Sequence, residues 1–331
     1  MTTYLVTGGA GFIGSNFIHF LLSDSHKQIK VLNLDALTYS SNIDNVSCYD
    51  KDDRYLFLQG NICDTGLVTK LFAEHDIDYV VHFAAQTHVD RSIESAKEFV
   101  ETNVVGTLNL LTAAEQYWTK EERNHKRFLY VSTDEVYGHL PDSGYFTEDT
   151  PLNPRNPYAA SKAGGDMLAR TFYTTHGLPV LVTRCSNNYG PYQYEEKFIP
   201  NCIKCCLEDR EIPVYGDGKN IRDWLYVADH CRAIDLVLQQ GCPGEVYNIG
   251  GYNEHTNLEM VTLLGNILKE EHQIQPAPIL FIEDRKGHDR RYAIHPAKLM
   301  KELGWQPEVT FGEGIRRTIR WYVEHPDFLH L

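Results

Sequence analysis

Residues 131–138, Val-Ser-Thr-Asp-Glu-Val-Tyr-Gly, set a hydroxyl pair and an acid pair directly after Phe128-Leu129-Tyr130-Val131, a run that reads as a buried strand. Two carboxyls in one low-dielectric site cannot both ionise easily, so Asp134 and Glu135 are expected to divide into one acid and one base. Twenty-five residues after Thr133 stands Tyr158-x-x-x-Lys162. Positions i and i+4 share one face of a helix. A lysine ammonium beside a phenol favours phenolate and lowers its pKa from about 10 towards the working pH. Such a phenolate can take a proton from a hydroxyl. Thr133, Asp134, Glu135, Tyr158 and Lys162 are therefore the candidate catalytic residues. Thr133 stands at the C-terminal edge of its strand, where α/β sheets bind ligands.

These side chains need a scaffold that brings a strand end and a helix start together. The first half of the chain alternates the two patterns. "YLVTGG" reads as a strand and turn, Phe12 to Leu22 as a helix, and "IKVLNLD" and "RYLFLQGNI" as strands. Val68 to Glu74 reads as a helix, "YVVHFAA" as a strand, Glu94 to Trp118 as one long helical region and "RFLYVST" as a strand. A polar, Pro-rich loop, Leu140 to Pro157, leads to a helix from Tyr158 to His176, with Asn156 as its cap and Pro157 as its first residue. The strand "PVLVTRCSN" follows. Short apolar strands separated by helices form a parallel sheet covered on both faces.

Between the first strand and helix lies Gly8-x-x-Gly11-Phe12-Ile13-Gly14, a glycine turn at the head of a βαβ unit. Its glycines give a tight turn, backbone access to a pyrophosphate and close helix–strand packing, with the phosphates at the helix N-terminus. Asp35 ends the second strand, 21 residues after Gly14. A carboxylate there accepts from ribose hydroxyls and repels a 2′-phosphate, which favours NAD over NADP. The fold class expected is thus α/β, a Rossmann-type doubly wound parallel sheet with a smaller, mixed C-terminal substrate domain. The pattern turns irregular after Asn188 and regains helix and strand signals at Val227–Gln239 and "EVYNIGG". The expected division is residues 1–190 with roughly 223–251 for the dinucleotide, and 191–222 with 252–331 for a sugar nucleotide.

The 331 residues carry a formal net charge of −14, which argues against nucleic acid or an anionic membrane as partner. An anionic small substrate requires a local cationic cluster, and "DRKGHDRRY", residues 284–292, supplies one. No stretch approaches the roughly 18 apolar residues of a membrane helix, and Tyr4-Leu5-Val6 begins a strand where a signal peptide would stand. Eight scattered cysteines then read as free thiols of a cytoplasmic protein. Cys202, Cys205 and Cys206 have no second ligand pair, so no metal is expected. His82, inside a strand, reads as a packed core histidine.

T-G-x-x-G-x-x-G with Y-x-x-x-K resembles the extended short-chain dehydrogenase/reductase superfamily over nearly the whole chain. "AAQTHVDRSI", "STDEVYG", "YAASKAG", "NNYGPYQ", "DGKNIRDWLYVAD" and "GHDRRYAI" are similar to the nucleotide-sugar 4,6-dehydratases, above all those acting on dTDP-glucose. Epimerases of the superfamily usually carry small or neutral residues in place of Asp134-Glu135. The resemblance implies oxidation at sugar carbon 4, elimination of water across carbons 5 and 6, and return of the hydride to carbon 6. The product is a 4-keto-6-deoxy sugar for deoxysugar biosynthesis, as in the making of rhamnose. It implies Tyr158 as the base that starts oxidation, Thr133 as the group positioning the carbon-4 hydroxyl, Glu135 as the base at carbon 5 and Asp134 as the acid at carbon 6. It assigns Gly8, Gly11, Phe12, Ile13, Gly14, Asp35, Asn61, Ile62, Thr102, Tyr158, Lys162 and Asn188 to NAD. It assigns His88, Thr133, Asn187, Lys197, Arg222, Asn257, Arg285, His288, Arg291 and Tyr292 to the substrate, the arginines as forks for diphosphate oxygens.

His88-Val89-Asp90-Arg91 is expected to form a scaffold ion-pair network beside the site. The chain departs from the family's usual residues at Asn61, Gln86-Thr87, Lys286 and His295. Asn61 replaces an Asp at the adenine, where its amide oxygen could still accept, and the last two bear on the nucleobase. The rival enzymes on this scaffold are dehydratases of UDP- or CDP-sugars and 4-epimerases or decarboxylases. The superfamily's habit of pairing two long helices implies a homodimer, through Glu94–Trp118 and Tyr158–His176.

Overall fold

The structure is a computed structural model that describes residues 1–24 and 28–330. In chain order its strands are β1 (Thr2–Thr7), β2 (Ile29–Asp35), β3 (Tyr55–Gln59), β4 (Tyr79–His82), β5 (Arg127–Thr133), β6 (Val180–Cys185), β7 (Asn187–Tyr189), β8 (Ile212–Tyr215), β9 (Ile221–Tyr226), β10 (Val246–Ile249), β11 (Glu254–Thr256) and β12 (Ile279–Ile282). Its α-helices are α1 (Phe12–Leu22), α2 (Thr65–Glu74), α3 (Val89–Glu94), α4 (Lys97–Val100), α5 (Thr107–Tyr117), α6 (Pro157–His176), α7 (Phe198–Leu207), α8 (Val227–Gln240), α9 (Asn257–His272), α10 (Ala297–Leu303) and α11 (Phe311–Glu324).

Seven strands pair in the order β10-β6-β5-β4-β1-β2-β3, every pairing parallel. Alternation along β1 explains the two covered faces: Tyr4 and Val6 point into one core with Phe17, Leu21 and Val237 of α1 and α8. Leu5 points into the other with Leu71, Leu110 and Ala169 of α2, α5 and α6. This is the expected doubly wound α/β architecture. The strand order reverses between β1 and β4, the place where such sheets open a crevice beyond the strand ends. A third core gathers Ile203, Val214, Trp224, Leu264 and Ile319 around two small sheets, β11-β9-β7 and β12-β8. β9, which spans the expected boundary at residue 223, belongs to the first of these.

The long helical region expected over Glu94–Trp118 is interrupted. Ser95 is extended (φ −146°, ψ 96°), and a wide π turn, Glu101–Gly106, separates α4 from α5. The cause lies outside the segment: Asn103 inside the turn exchanges hydrogen bonds with the Gln86 main chain at 2.8 and 3.0 Å and donates to Ser161 Oγ of α6 at 2.8 Å. α6 starts as expected, with Asn156 Oδ1 accepting from Ala159 N at 2.8 Å and Pro157 first. It ends on left-handed Gly177.

Candidate active site

The turn after β1 leaves no room for side chains. A Cβ on Gly8 (φ +73°) would lie 2.7 Å from Ala84 N, and one on Gly14 would lie 2.3 Å from Gly8 O. Gly11 caps α1 without a side-chain bond, so the first N–H groups of Phe12, Ile13 and Gly14 face the cavity they line. Asp35 is 4% exposed; its Oδ2 accepts from Ala10 N at 2.9 Å and its Oδ1 from Leu37 N at 2.8 Å. Each oxygen keeps a lone pair for a ribose hydroxyl. Glycine cradle, bare helix N-terminus and fixed carboxylate fit the dinucleotide NAD.

Asn61, Ile62, Thr102, Tyr158, Lys162 and Asn188 line the same cavity. Asn61 Oδ1, expected to meet an adenine amine, already accepts from Cys63 N at 2.9 Å. Asn188 donates to Ser186 O at 3.0 Å and pairs through Oδ1 with His230 Nδ1 at 2.9 Å. Burial holds His230 neutral, with a pKa of about 3. His230 escaped the sequence reading; its position on α8 carries no motif.

Thr133, Asp134 and Glu135 close the same cavity where β5 ends. Thr133 caps the short turn Asp134–Tyr137: its Oγ1 accepts from Glu135 N and donates to Asp134 Oδ1, both at 3.3 Å. Burial pushes the Asp134 carboxyl well above the carboxylate range, and the charges of Glu135 and Asp223 push the same way; Arg222 opposes them. Asp134 Oδ2 is buried with no hydrogen-bond partner among the described residues. Burial also raises Glu135, but Arg222, the Asn156 amide at 3.3 Å, Arg285 and Lys197 all pull it down. Asn156 thus serves twice, as helix cap and as donor to Glu135; its sequence position revealed the first role alone.

The expected lowering of the Tyr158 phenol is not seen. Burial and the Glu135 charge push it well above its ordinary value, against a hydrogen bond with Thr133. Lys162 Nζ is spent elsewhere, on Val131 O at 2.7 Å and over the Tyr130 ring at 4.4 Å, and burial lowers its own pKa to about 8. Desolvation of the buried phenol dominates, and the ammonium that would oppose it is itself buried. Cys185, which pairs in register with Thr133, also lines the cavity, its thiol pushed to about 12 by burial.

A second cavity shares Glu135, Asn187, Asn188, Gln193, Thr87 and Lys197 with the first. It brings His88, Arg222, Asn257, Arg285, His288 and Tyr292 together, as well as Lys286. Arg222 spans its wall, donating to Asp289 O at 3.0 Å, pairing with His288 Nε2 at 3.0 Å and lying 4.4 Å from the Tyr292 ring. Arg285 pairs with Asp90 at 3.1 Å and lies over the Tyr215 ring at 4.3 Å, and His88 pairs with Glu196 at 3.4 Å. Arg291 lines neither cavity. Its guanidinium is consumed by Glu254 at 2.6 and 2.8 Å and by the carbonyls of Pro141 and Gly144. His295 also stands apart, packed between Tyr145 and Tyr252. His82 is the core residue expected, bonded to Thr7 and Thr107 at 2.7 and 2.9 Å. Cys202, Cys205 and Cys206 are buried on α7.

Residues 5–318 match the family model described as GDP-mannose 4,6 dehydratase. The chain is 51% identical over 331 residues to the dTDP-glucose 4,6-dehydratase of Xanthomonas campestris pv. campestris (strain B100), covering 98% of this chain and 93% of that one. Among solved structures, the dTDP-glucose 4,6-dehydratase of Bacillus anthracis in complex with NAD is 46% identical with a TM-score of 0.89, covering 100% of this chain and 99% of that one. That of Streptomyces venezuelae, with NAD and TYD bound, is 46% identical with a TM-score of 0.91, covering 99% and 98%. The chain belongs to the dTDP-glucose 4,6-dehydratase family.

Proposed function

We propose that this protein is an NAD-dependent hydro-lyase that converts dTDP-glucose to dTDP-4-keto-6-deoxyglucose. The observation that carries the reading is the acid pair itself. Asp134 and Glu135 share one buried site with Thr133 and Tyr158, and their surroundings favour the protonated form more strongly at Asp134 than at Glu135.

Gly8, Gly11, Phe12, Ile13 and Gly14 would hold the pyrophosphate, Asp35 the adenosine ribose, Asn61, Ile62 and Thr102 the adenine side, and Lys162 and Asn188 the nicotinamide side. When bound, NAD supplies a hydride acceptor for carbon 4 and a donor for carbon 6. Buried and protonated in the unliganded site, the Tyr158 phenol would ionise beside the cationic nicotinamide ring that bound NAD would supply, and Tyr158 Oη as phenolate takes the proton of the carbon-4 hydroxyl. The new ketone acidifies carbon 5, whose proton Glu135 accepts. Asp134 donates its proton to the carbon-6 hydroxyl, which leaves as water. Its Oδ2, buried and without a hydrogen-bond partner among the described residues, is free to make such a bond.

His88, Asn187, Lys197, Arg222, Asn257, Arg285, His288 and Tyr292 would bind the nucleotide and diphosphate. They ring a second cavity that shares Glu135 with the first, which supports a sugar seated where the two meet. Arg291 acts at one remove, pinning the 140–144 loop. We place the dinucleotide mainly on residues 1–190 with 227–251, and the sugar nucleotide on residues 191–226 and 252–331. Lys286, on the second cavity, bears on nucleobase choice; His295, outside it, does not.

Unpaired thiols buried in the core support a cytoplasmic setting. Among the described residues no helix is long and apolar enough to cross a membrane. Ile93, Val100, Val105 and Leu108 before and on α5, and Met167 and Tyr173 on α6, are exposed, which supports a homodimer through these adjoining helices. The decisive assay gives dTDP-glucose and UDP-glucose side by side and weighs the products. Loss of one water, faster from dTDP-glucose, is expected. An unchanged mass would mark an epimerase and loss of carbon dioxide a decarboxylase; either overturns the reading.

A further inference from the structure

One guanidinium joins the two halves of the candidate chemistry. Arg184, on β6 and 1% exposed, donates from Nε and Nη2 to Asp166 Oδ2 and Oδ1 at 2.8 and 2.9 Å and from Nη1 to Tyr137 Oη at 2.9 Å. Asp166 lies four residues after Lys162, on the face of α6 that carries Tyr158 and Lys162. Tyr137 ends the turn that bears Asp134 and Glu135, and its hydroxyl donates onward to Asn248 Oδ1 on β10 at 2.8 Å. The Tyr137 ring also lies 4.8 Å from the guanidinium. Asp166 is 0% and Tyr137 2% exposed.

An ion pair this deep is a poor source of stability, because desolvating both charges offsets their attraction. What it fixes is direction: a planar fork bound on two edges has one orientation. The reaction needs such a constraint. Carbons 4, 5 and 6 of the hexose are neighbours, so the phenol and the two acids must meet one small substrate without readjustment, and a misplacement of about 1 Å costs orders of magnitude in rate. The phenol rides on α6 and the acids on a turn beyond β5, elements that meet the same side chain at Arg184.

We propose that Arg184, Asp166 and Tyr137 are positioning residues that hold the acid turn against the Tyr158–Lys162 helix and so couple elimination to the oxidation before it. This rests on the dehydratase reading above. Tyr137→Phe is the test, since it keeps the ring and the Arg184–Asp166 pair and removes the hydroxyl tie between turn and guanidinium. In single turnovers with dTDP-glucose, the near-ultraviolet absorbance of the reduced cofactor follows oxidation, and product mass in quenched samples follows water loss. Oxidation is expected within about twofold of the parent protein and water loss about tenfold slower, the scale of one lost hydrogen bond. Reduced cofactor then accumulates. Arg184→Lys, which keeps the charge without the fork, should show the same split; if it fails to fold, Tyr137→Phe still decides. Equal slowing of both steps, or slowing of neither, overturns the proposal. A parent protein that removes water from no sugar nucleotide refutes instead the reading on which it rests.

Discussion

Asp134 and Glu135 are neighbours in the chain, yet they do not share an environment. Asp134 faces Glu135 and Asp223 with Arg222 as the opposing cation, whereas Glu135 has Arg222, Arg285, Lys197 and the Asn156 amide on its side. The difference leaves Glu135 the more readily ionised, able to accept a proton, and Asp134 the more readily protonated, able to donate one. Glu135→Gln should therefore reduce bound NAD on mixing with substrate at near the parent rate and lose water at least about a hundredfold more slowly. Stopped-flow absorbance with product mass checks this, and normal turnover by the variant would remove Glu135 from the mechanism.

His230 gives a pH prediction at the same scale. Its folded pKa of about 3 lies below the unfolded value near 6.5, so the unfolded chain binds more protons in between. The contribution is present above pH 6.5 and is lost as pH falls from there towards 3, about 2 kcal/mol by pH 5. Urea midpoints at pH 7.5 and 5 should fall less for His230→Gln than for the parent.

At the scale of elements, α6 is held close to its neighbours by a glycine. A Cβ at Gly165 would lie 2.4 Å from Tyr130 Oη and 2.6 Å from Asn103 O, so it would push the helix from β5 and from the π turn at once. Gly165→Ala should destabilise by about 1–3 kcal/mol despite the better helix propensity of Ala, and should slow turnover because Tyr158 and Lys162 move with the helix. Gly177→Ala is the contrast: nothing lies within reach of its Cβ, and the strain of φ +64° costs about 1 kcal/mol. Thermal melts and steady-state rates of the two variants should diverge accordingly. The π turn itself was invisible in the helical pattern of residues 94–118, because the partners that Asn103 bonds there, the Gln86 main chain and the Ser161 hydroxyl, lie in other segments.

For the whole molecule, two cavities meet at Glu135, Asn187 and Lys197, one beyond the C-terminal strand ends of the seven-stranded sheet and one beside the small sheets. The apolar side chains exposed on α5 and α6 lie on adjoining helices. Leu108→Glu with Met167→Glu should convert a dimer to a monomer in light scattering, since charges buried at an interface are strongly unfavourable. A parent protein that is monomeric at assay concentration would end that reading.

What the chain determined by itself was whatever depends on near neighbours and periodicity. The βαβ alternation, the glycine turn, Asp35 at a strand end, the Asn156-Pro157 start of α6 and the Tyr158/Lys162 spacing are all local features, and each was readable in the sequence. Tertiary structure alone decided the protonation preferences and the partners. Arg291 read as a phosphate fork until Glu254 claimed it, and Lys162 read as the group that lowers Tyr158 until burial raised the phenol instead. Charge and hydrogen-bond energies depend on distance and desolvation through space, and spacing along the chain does not carry them.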